Sequence, residues 1–197
     1  MADVLPPGFS DLESKAADLY NYYFGEEIKP IFSKIAEFLG YNEVVCHGDL
    51  WSSNMLFQKK EKLELAAIID FQTVCWGNAT QDLAVFLLSC TSGTDRREHT
   101  EELLEKFYGY LIEELDGREA PYTLQQLKSS YNLYMPFAAF FILPGFGGIK
   151  KKWKQELKNA GDIIRAMDEK NLFTVQDILQ QHEENIQKFP QFYSNRF

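Results

Sequence analysis

Residues 46 to 57 read CHGDLWSSNMLF, and a later run, IIDF, carries an isolated acid at Asp70. Asp49 and Asn54 stand five positions apart in the first stretch. Polar and charged groups set among apolar runs must find partners or serve a purpose. An amide oxygen and a carboxylate are hard donors, suited to Mg²⁺ held together with substrate phosphates. A further aspartate nearby can orient, or take the proton from, an attacking hydroxyl. Each residue alone has a plainer reading: Asp49 as a cap or turn residue, His47 as a structural histidine, Asn54 as a turn residue. Their joint spacing, with IIDF at hairpin distance, outweighs those separate readings.

Positioning comes from the elements around them. NMLF and LELAAIIDF are short apolar runs with strand character, joined by the polar QKKEKLE, a pattern that predicts a β-hairpin. Asn54 and Asp70 lie eight residues either side of Lys62. A hairpin symmetric about Lys62, with residues 54–57 against roughly 66–70, brings the two together at its open end. Asp49 then lies in the loop feeding the first strand, and EVVCH upstream is strand-like too. The flanks carry helical periodicity. LESKAADLYNYYF and IKPIFSKIAEFLG form the lead-in, with Asp11 as N-cap, Gly25 and Pro30 as dividers and Gly40 as C-cap. Downstream come ATQDLAVFLLSC as a buried helix, REHTEELLEKFYGYLIEEL as an amphipathic one, and TLQQLKSSYNLYMPFAAFFIL, kinked or broken near Pro136. KKWKQELKNAGDIIRAMDEK and TVQDILQQHEENIQKF complete the helices. The expected class is α+β, mostly α, with one small hairpin bearing the unusual residues. It is read as a single unit of helical lead-in (1–43), loop and hairpin (44–75) and helical remainder (76–197).

With 197 residues, 45% of them hydrophobic and 15% aromatic, the chain can bury a core and is not a disordered segment. A net charge of −9 argues against nucleic acid and anionic membranes as partners, since phosphate contacts need clustered Lys and Arg. The basic run KKKWK reads as a solvated helix start. PGFGGIKK lacks phosphate-loop spacing and follows a helix, so it reads as a helix–helix turn. Trp51, Trp76 and Trp153 read as packing residues, with Trp51 also a candidate pocket wall. Cys46, Cys75 and Cys90 are odd in number and match neither Cys-x-x-Cys nor zinc spacing, which predicts reduced thiols in a cytoplasmic setting. The N-terminus has no signal-peptide pattern, and the longest apolar run is too short to span a bilayer.

The string CHGDLWSSNMLF…AAIIDFQTVCWGNATQDLAVFL resembles the CHK-kinase-like, or ecdysteroid-kinase-like, family, within the aminoglycoside-phosphotransferase and choline-kinase branch of the protein-kinase-like fold. HGDLWSSN keeps the His, Asp and Asn spacing of H-R-D-x-x-x-x-N with Gly in place of Arg, and IIDFQ keeps Asp–Phe of D-F-G with Gln72 in place of Gly. The resemblance implies Asp49 as catalytic base, Asn54 and Asp70 as Mg²⁺ ligands, His47 as loop scaffold and Asp82 as the acid that braces the loop through backbone hydrogen bonds. It implies an ATP- and Mg²⁺-dependent kinase of a small-molecule alcohol, and a fold equivalent to that family's C-terminal lobe. The 46 residues before His47 read as helix, with no Gly-rich loop and no strand lysine. The N-terminal ATP-binding lobe is therefore expected to be absent from this chain. That expectation opens an alternative, a lobe inactive alone that acts as a binding or regulatory module.

Overall fold

The computed structural model describes residues 31–139 and 180–194. The expected caps and dividers at Asp11, Gly25 and Pro30, the KKKWK and PGFGGIKK runs, Trp153 and most of the last two helices lie outside these residues. Described residues up to Tyr134 belong to one compact unit, and those from Met135 onward belong to a second.

Helix α1 (Ile31–Leu39) opens the first unit. It ends where Gly40 turns to φ +74°. There the Gly40 N–H donates to Glu37 O and the Tyr41 N–H to Ala36 O, which satisfies two terminal carbonyls. Two small antiparallel sheets follow. β1 (Val44–Cys46) pairs with β4 (Cys75–Gly77), and β2 (Met55–Lys59) pairs with β3 (Leu63–Ile68). The sequence reading held a single hairpin. The second pairing joins three-residue strands whose partners, from Cys46–Cys75 to Val44–Gly77, lie 29 to 33 positions apart, and such a contact has no local signal.

The hairpin register also differs from the symmetric expectation. Lys59 opposes Leu63, which centres the turn on Glu61 rather than Lys62. Leu56 opposes Ala67 while Phe57 opposes Leu65, so Ala66 is left over as a β-bulge. The displaced register makes Ile69 the partner of Asn54, its N–H donating to Asn54 O at 2.9 Å. Asp70 falls one residue beyond the pairing. It takes the left-handed conformation, φ 65° and ψ 56°, and starts a 3-10 turn at Phe71–Thr73. Aspartate tolerates that region better than most side chains. The apolar strand residues are largely exposed: Leu63 is 70% and Trp76 68% accessible, so Trp76 is not the packing residue expected.

Helices α2 (Gln81–Cys90), α3 (Gly93–Leu115) and α4 (residues 124–134) build the core with α1. Ile35, Ala84, Leu88, Leu104, Leu127 and Leu133 are buried there. Ser92 caps α3 by accepting the Asp95 N–H at 3.0 Å. The Tyr41 and Tyr122 rings meet edge-on at 5.7 Å. In the second unit residues 135–139 are helical through Pro136, so among the described residues the helix does not break there. A proline removes one backbone donor, which can leave a helix continuous. Residues 180–188 (α5) and Pro190–Ser194 (α6) are also helical, and the His182 and Tyr193 rings pack edge-on at 5.4 Å. The class is α+β and mostly α. No helix among the described residues is long and apolar enough to cross a membrane.

Buried protonated groups give this fold an alkaline limit. Burial, reinforced by the nearby Asp82 charge, pushes the Cys46 thiol up to about 12 from an ordinary 9.0. Burial likewise raises the Tyr41, Tyr122 and Tyr134 phenols. The unfolded chain sheds these protons first, so the stability they contribute is intact below pH 9.0 and is lost as pH climbs toward about 12. A thermal midpoint that is level near neutrality should fall above about pH 9, and less steeply in Cys46→Ala. A midpoint unchanged across that alkaline range in the unaltered chain would contradict the burial assigned to these groups.

Candidate active site

Residues 46 to 54 leave β1, fold back as a loop and enter β2 through a 3-10 turn at Ser52–Asn54. The loop is fixed at its start by Asp82, in the first turn of α2. One carboxylate oxygen accepts the His47 N–H at 2.6 Å and the other the Gly48 N–H at 2.9 Å. These are donors in the stretch that the sequence reading assigned to Asp82, although its side chain is half-buried rather than fully so. Gly48 makes the turn possible. Its φ is +85°, and a Cβ there would overlap the backbone oxygen of Thr73.

His47 ties this loop to the segment bearing Asp70. Its Nε2–H donates to Ile69 O at 2.9 Å, which fixes the tautomer, and Nδ1 accepts the Asp49 N–H at 3.3 Å. Both ring nitrogens are thereby engaged, and the ring packs against Phe71 with centroids 4.6 Å apart. Thr73 adds a hydroxyl donated to His47 O at 3.1 Å. Such a histidine holds geometry and is not available as a base or a metal ligand.

Asn54 is buried, and its Nδ2 donates to Asp49 O at 2.8 Å and to Asp49 Oδ2 at 3.1 Å. The amide is thus oriented with its oxygen free of hydrogen bonds among the described residues. Asp49 is half-buried and retains a second carboxylate oxygen. Asp70 is exposed, and its carboxylate takes no hydrogen bond or ion pair among the described residues. Its neighbour Ile69 is held on both sides, by Asn54 O at its N–H and by His47 at its carbonyl. An amide oxygen and a carboxylate are the donor types that a hard divalent cation takes alongside water and phosphate, and Asp70 follows the residue pinned to Asn54 and His47. Among the described residues no three His, Cys, Asp or Glu side chains group closely enough to hold an ion by themselves.

Below the loop lies a polar cluster that sequence reasoning missed. Asn78 Oδ1 accepts from Thr80 N and Thr80 Oγ1, both at 2.9 Å, and from Ser130 Oγ at 3.2 Å. Ser130 Oγ also meets Tyr41 OH at 2.8 Å. The cluster sets the turn that launches α2 and so the height of Asp82. The run Asn78-Ala79-Thr80 before an apolar helix was its one sequence signal, as a capping stretch.

A family model described as "Uncharacterized oxidoreductase dhs-27" matches residues 9–186 of the chain. In Caenorhabditis elegans, the curated "Uncharacterized kinase-like protein D1044.1" is 32% identical over 129 residues, covering 64% of this chain and 34% of that protein. "Uncharacterized oxidoreductase dhs-27", from the same organism, is 27% identical over 178 residues, covering 79% of this chain and 21% of that protein. The chain therefore spans only a minor part of the length of either relative. No solved structure matches it.

Proposed function

The chain belongs to the family described as "Uncharacterized oxidoreductase dhs-27", and from that premise and the loop geometry we propose that it forms the C-terminal lobe of an ATP- and Mg²⁺-dependent phosphotransferase. The acceptor is a small-molecule hydroxyl, and the finer kinship is with CHK-kinase-like enzymes. The observation that carries the reading is the double tether of Ile69, which holds Asp70 next in chain to the Asp49–Asn54 loop. The relative named kinase-like supports it. The oxidoreductase name describes both the family model and a relative of which this chain matches 21%, and the 197 residues contain no Gly-x-Gly-x-x-Gly run of the kind that cradles a dinucleotide.

In this reading Asn54 and Asp70 hold Mg²⁺, whose chemistry is to bridge and neutralise the nucleotide phosphates. Asn54 also orients Asp49 through Nδ2, and Asp49 orients the acceptor hydroxyl and takes its proton. Asp82 and His47 keep the loop in shape. The exposed apolar faces of Leu56, Phe57, Leu63 and Leu65 favour a second reading, in which this lobe is incomplete until another element covers the hairpin. The lobe alone would then be a binding module.

Metal titration tests the site. Two protein ligands give Mg²⁺ binding in roughly the millimolar range without nucleotide. With ATP present in a chain that carries the N-terminal lobe, binding should tighten, and Asp70→Asn should abolish the gain. Tight metal binding without nucleotide that survives Asp70→Asn, or preferential binding of a nicotinamide dinucleotide over ATP, would overturn the proposal.

A further inference from the structure

We propose that Cys46 and Cys75 form a reversible redox pair, whose disulfide closes the base of the loop carrying Asp49, Asn54 and Asp70. The two residues are direct cross-strand partners in the β1–β4 pairing. Directly opposed antiparallel residues have Cα atoms about 4.5–5.5 Å apart and project their side chains to one face. That separation lies inside the disulfide range of about 4.4–6.8 Å. An independent contact puts both sulfurs around one amide. Gln81 Nε2 donates to Cys75 Sγ at 3.5 Å, and a Cβ built on Gly77 would run into the Gln81 amide and stand 3.2 Å from Cys46 Sγ.

The two thiols differ in access. Cys75 is exposed and Cys46 is buried, while the third thiol, Cys90, sits at the end of α2 outside the pair. An exposed thiol meets oxidant first, and its buried neighbour resolves the product. The oxidant is hydrogen peroxide. The Cys75 thiolate attacks one peroxide oxygen, the O–O bond breaks, one water leaves and Cys75 becomes a sulfenic acid. Cys46 sulfur then displaces that hydroxyl, the S–S bond forms and a second water leaves. Two electrons pass from the two thiols to the peroxide, and a small thiol reductant reverses the change. Because burial keeps Cys46 protonated, the closing step is slow near neutrality.

The consequence reaches the site directly, since Cys46 precedes His47 and its S–H is donated to Asn78 O at 3.4 Å. Oxidation removes that donor and ties together the two ends of the segment that bears all three site residues. The pairing itself does not depend on the phosphotransfer reading.

The test is peroxide treatment of the full chain, followed by digestion without reductant and mass analysis. The expected product is a cross-linked peptide joining Cys46 and Cys75, lighter by two hydrogens than its parts. It should disappear on adding dithiothreitol, be lost in Cys75→Ser and persist in Cys90→Ser. The oxidised chain should melt at a higher temperature than the reduced one, because the link restricts the unfolded ensemble. Oxidation of Cys75 to its sulfinic acid while Cys46 still alkylates would overturn the proposal, as would a link from Cys75 to Cys90 or to another chain. Alkylation of the oxidised wild-type chain decides the matter even if the serine variants fail to fold.

Discussion

Asp49→Asn should remove most of the turnover, by about 10²–10⁴-fold, in a chain that also carries the N-terminal lobe. The substitution preserves size and leaves the Asn54 Nδ2 bond to the Asp49 main-chain oxygen, so the loop keeps its shape. What it removes is the group that can accept a proton. The loss should fall on kcat, with KM for ATP close to normal, because Asp49 acts on the acceptor. Asp70→Asn should depress both, because Asp70 is assigned to the metal that carries the phosphates. Steady-state kinetics of the two variants separate the roles. A KM effect confined to Asp49→Asn, with Asp70→Asn unaffected, would exchange the assignments.

The second large effect is on stability. Asp82→Ala removes the acceptor of two backbone N–H groups, at His47 and Gly48, in a partly buried position. Leaving such groups unpaired costs about 1–3 kcal/mol, more when the lost partner is charged. In a chain of this size each kcal/mol corresponds to roughly 2–4 °C in the thermal midpoint. Asp82→Asn should not rescue it fully, because one oxygen becomes a donor facing a donor. Asp49→Ala should be near neutral, since Asn54 Nδ2 keeps its bond to the Asp49 main-chain oxygen. Melting curves of the variants check the order. An Asp49→Ala chain that melts well below Asp82→Ala would reverse the structural and functional roles.

The parts of this site that were readable are those written in short-range spacing. The Asp49–Asn54 interval, the acid in IIDF and the acid in the first turn of α2 are local patterns, although Asn54 ends a 3-10 turn and Asp70 starts another where strand ends were expected. The one-residue register difference combines two shifts, a turn centred on Glu61 rather than Lys62 and a bulge at Ala66 that offsets half of it. The turn centre alone would set Asn54 opposite Ile68, and the bulge, at an alanine inside LELAAI with no turn residue to announce it, moves its partner on to Ile69. The β1–β4 pairing was illegible because its strands are three residues long and meet across the whole catalytic segment. The Asn78, Thr80, Ser130 and Tyr41 cluster was illegible for a similar reason, since its members come from three separated stretches. Trp76 was read as a packing residue from its size and apolar character alone, and those do not say which face of a three-residue strand is covered; it is 68% accessible.

The central claim is that one loop, fixed by Asp82 and joined to Asp70 through Ile69, transfers phosphate to a hydroxyl. Its most direct measurement is transfer of labelled γ-phosphate from ATP to a panel of small alcohols. The longest natural product containing these residues should be compared with its Asp49→Asn variant. The account predicts a labelled phosphoester with at least one alcohol, dependent on Mg²⁺ and lost in the variant. A phosphoester formed equally by the variant, or no transfer to any alcohol alongside a nicotinamide-dependent redox turnover, would contradict it.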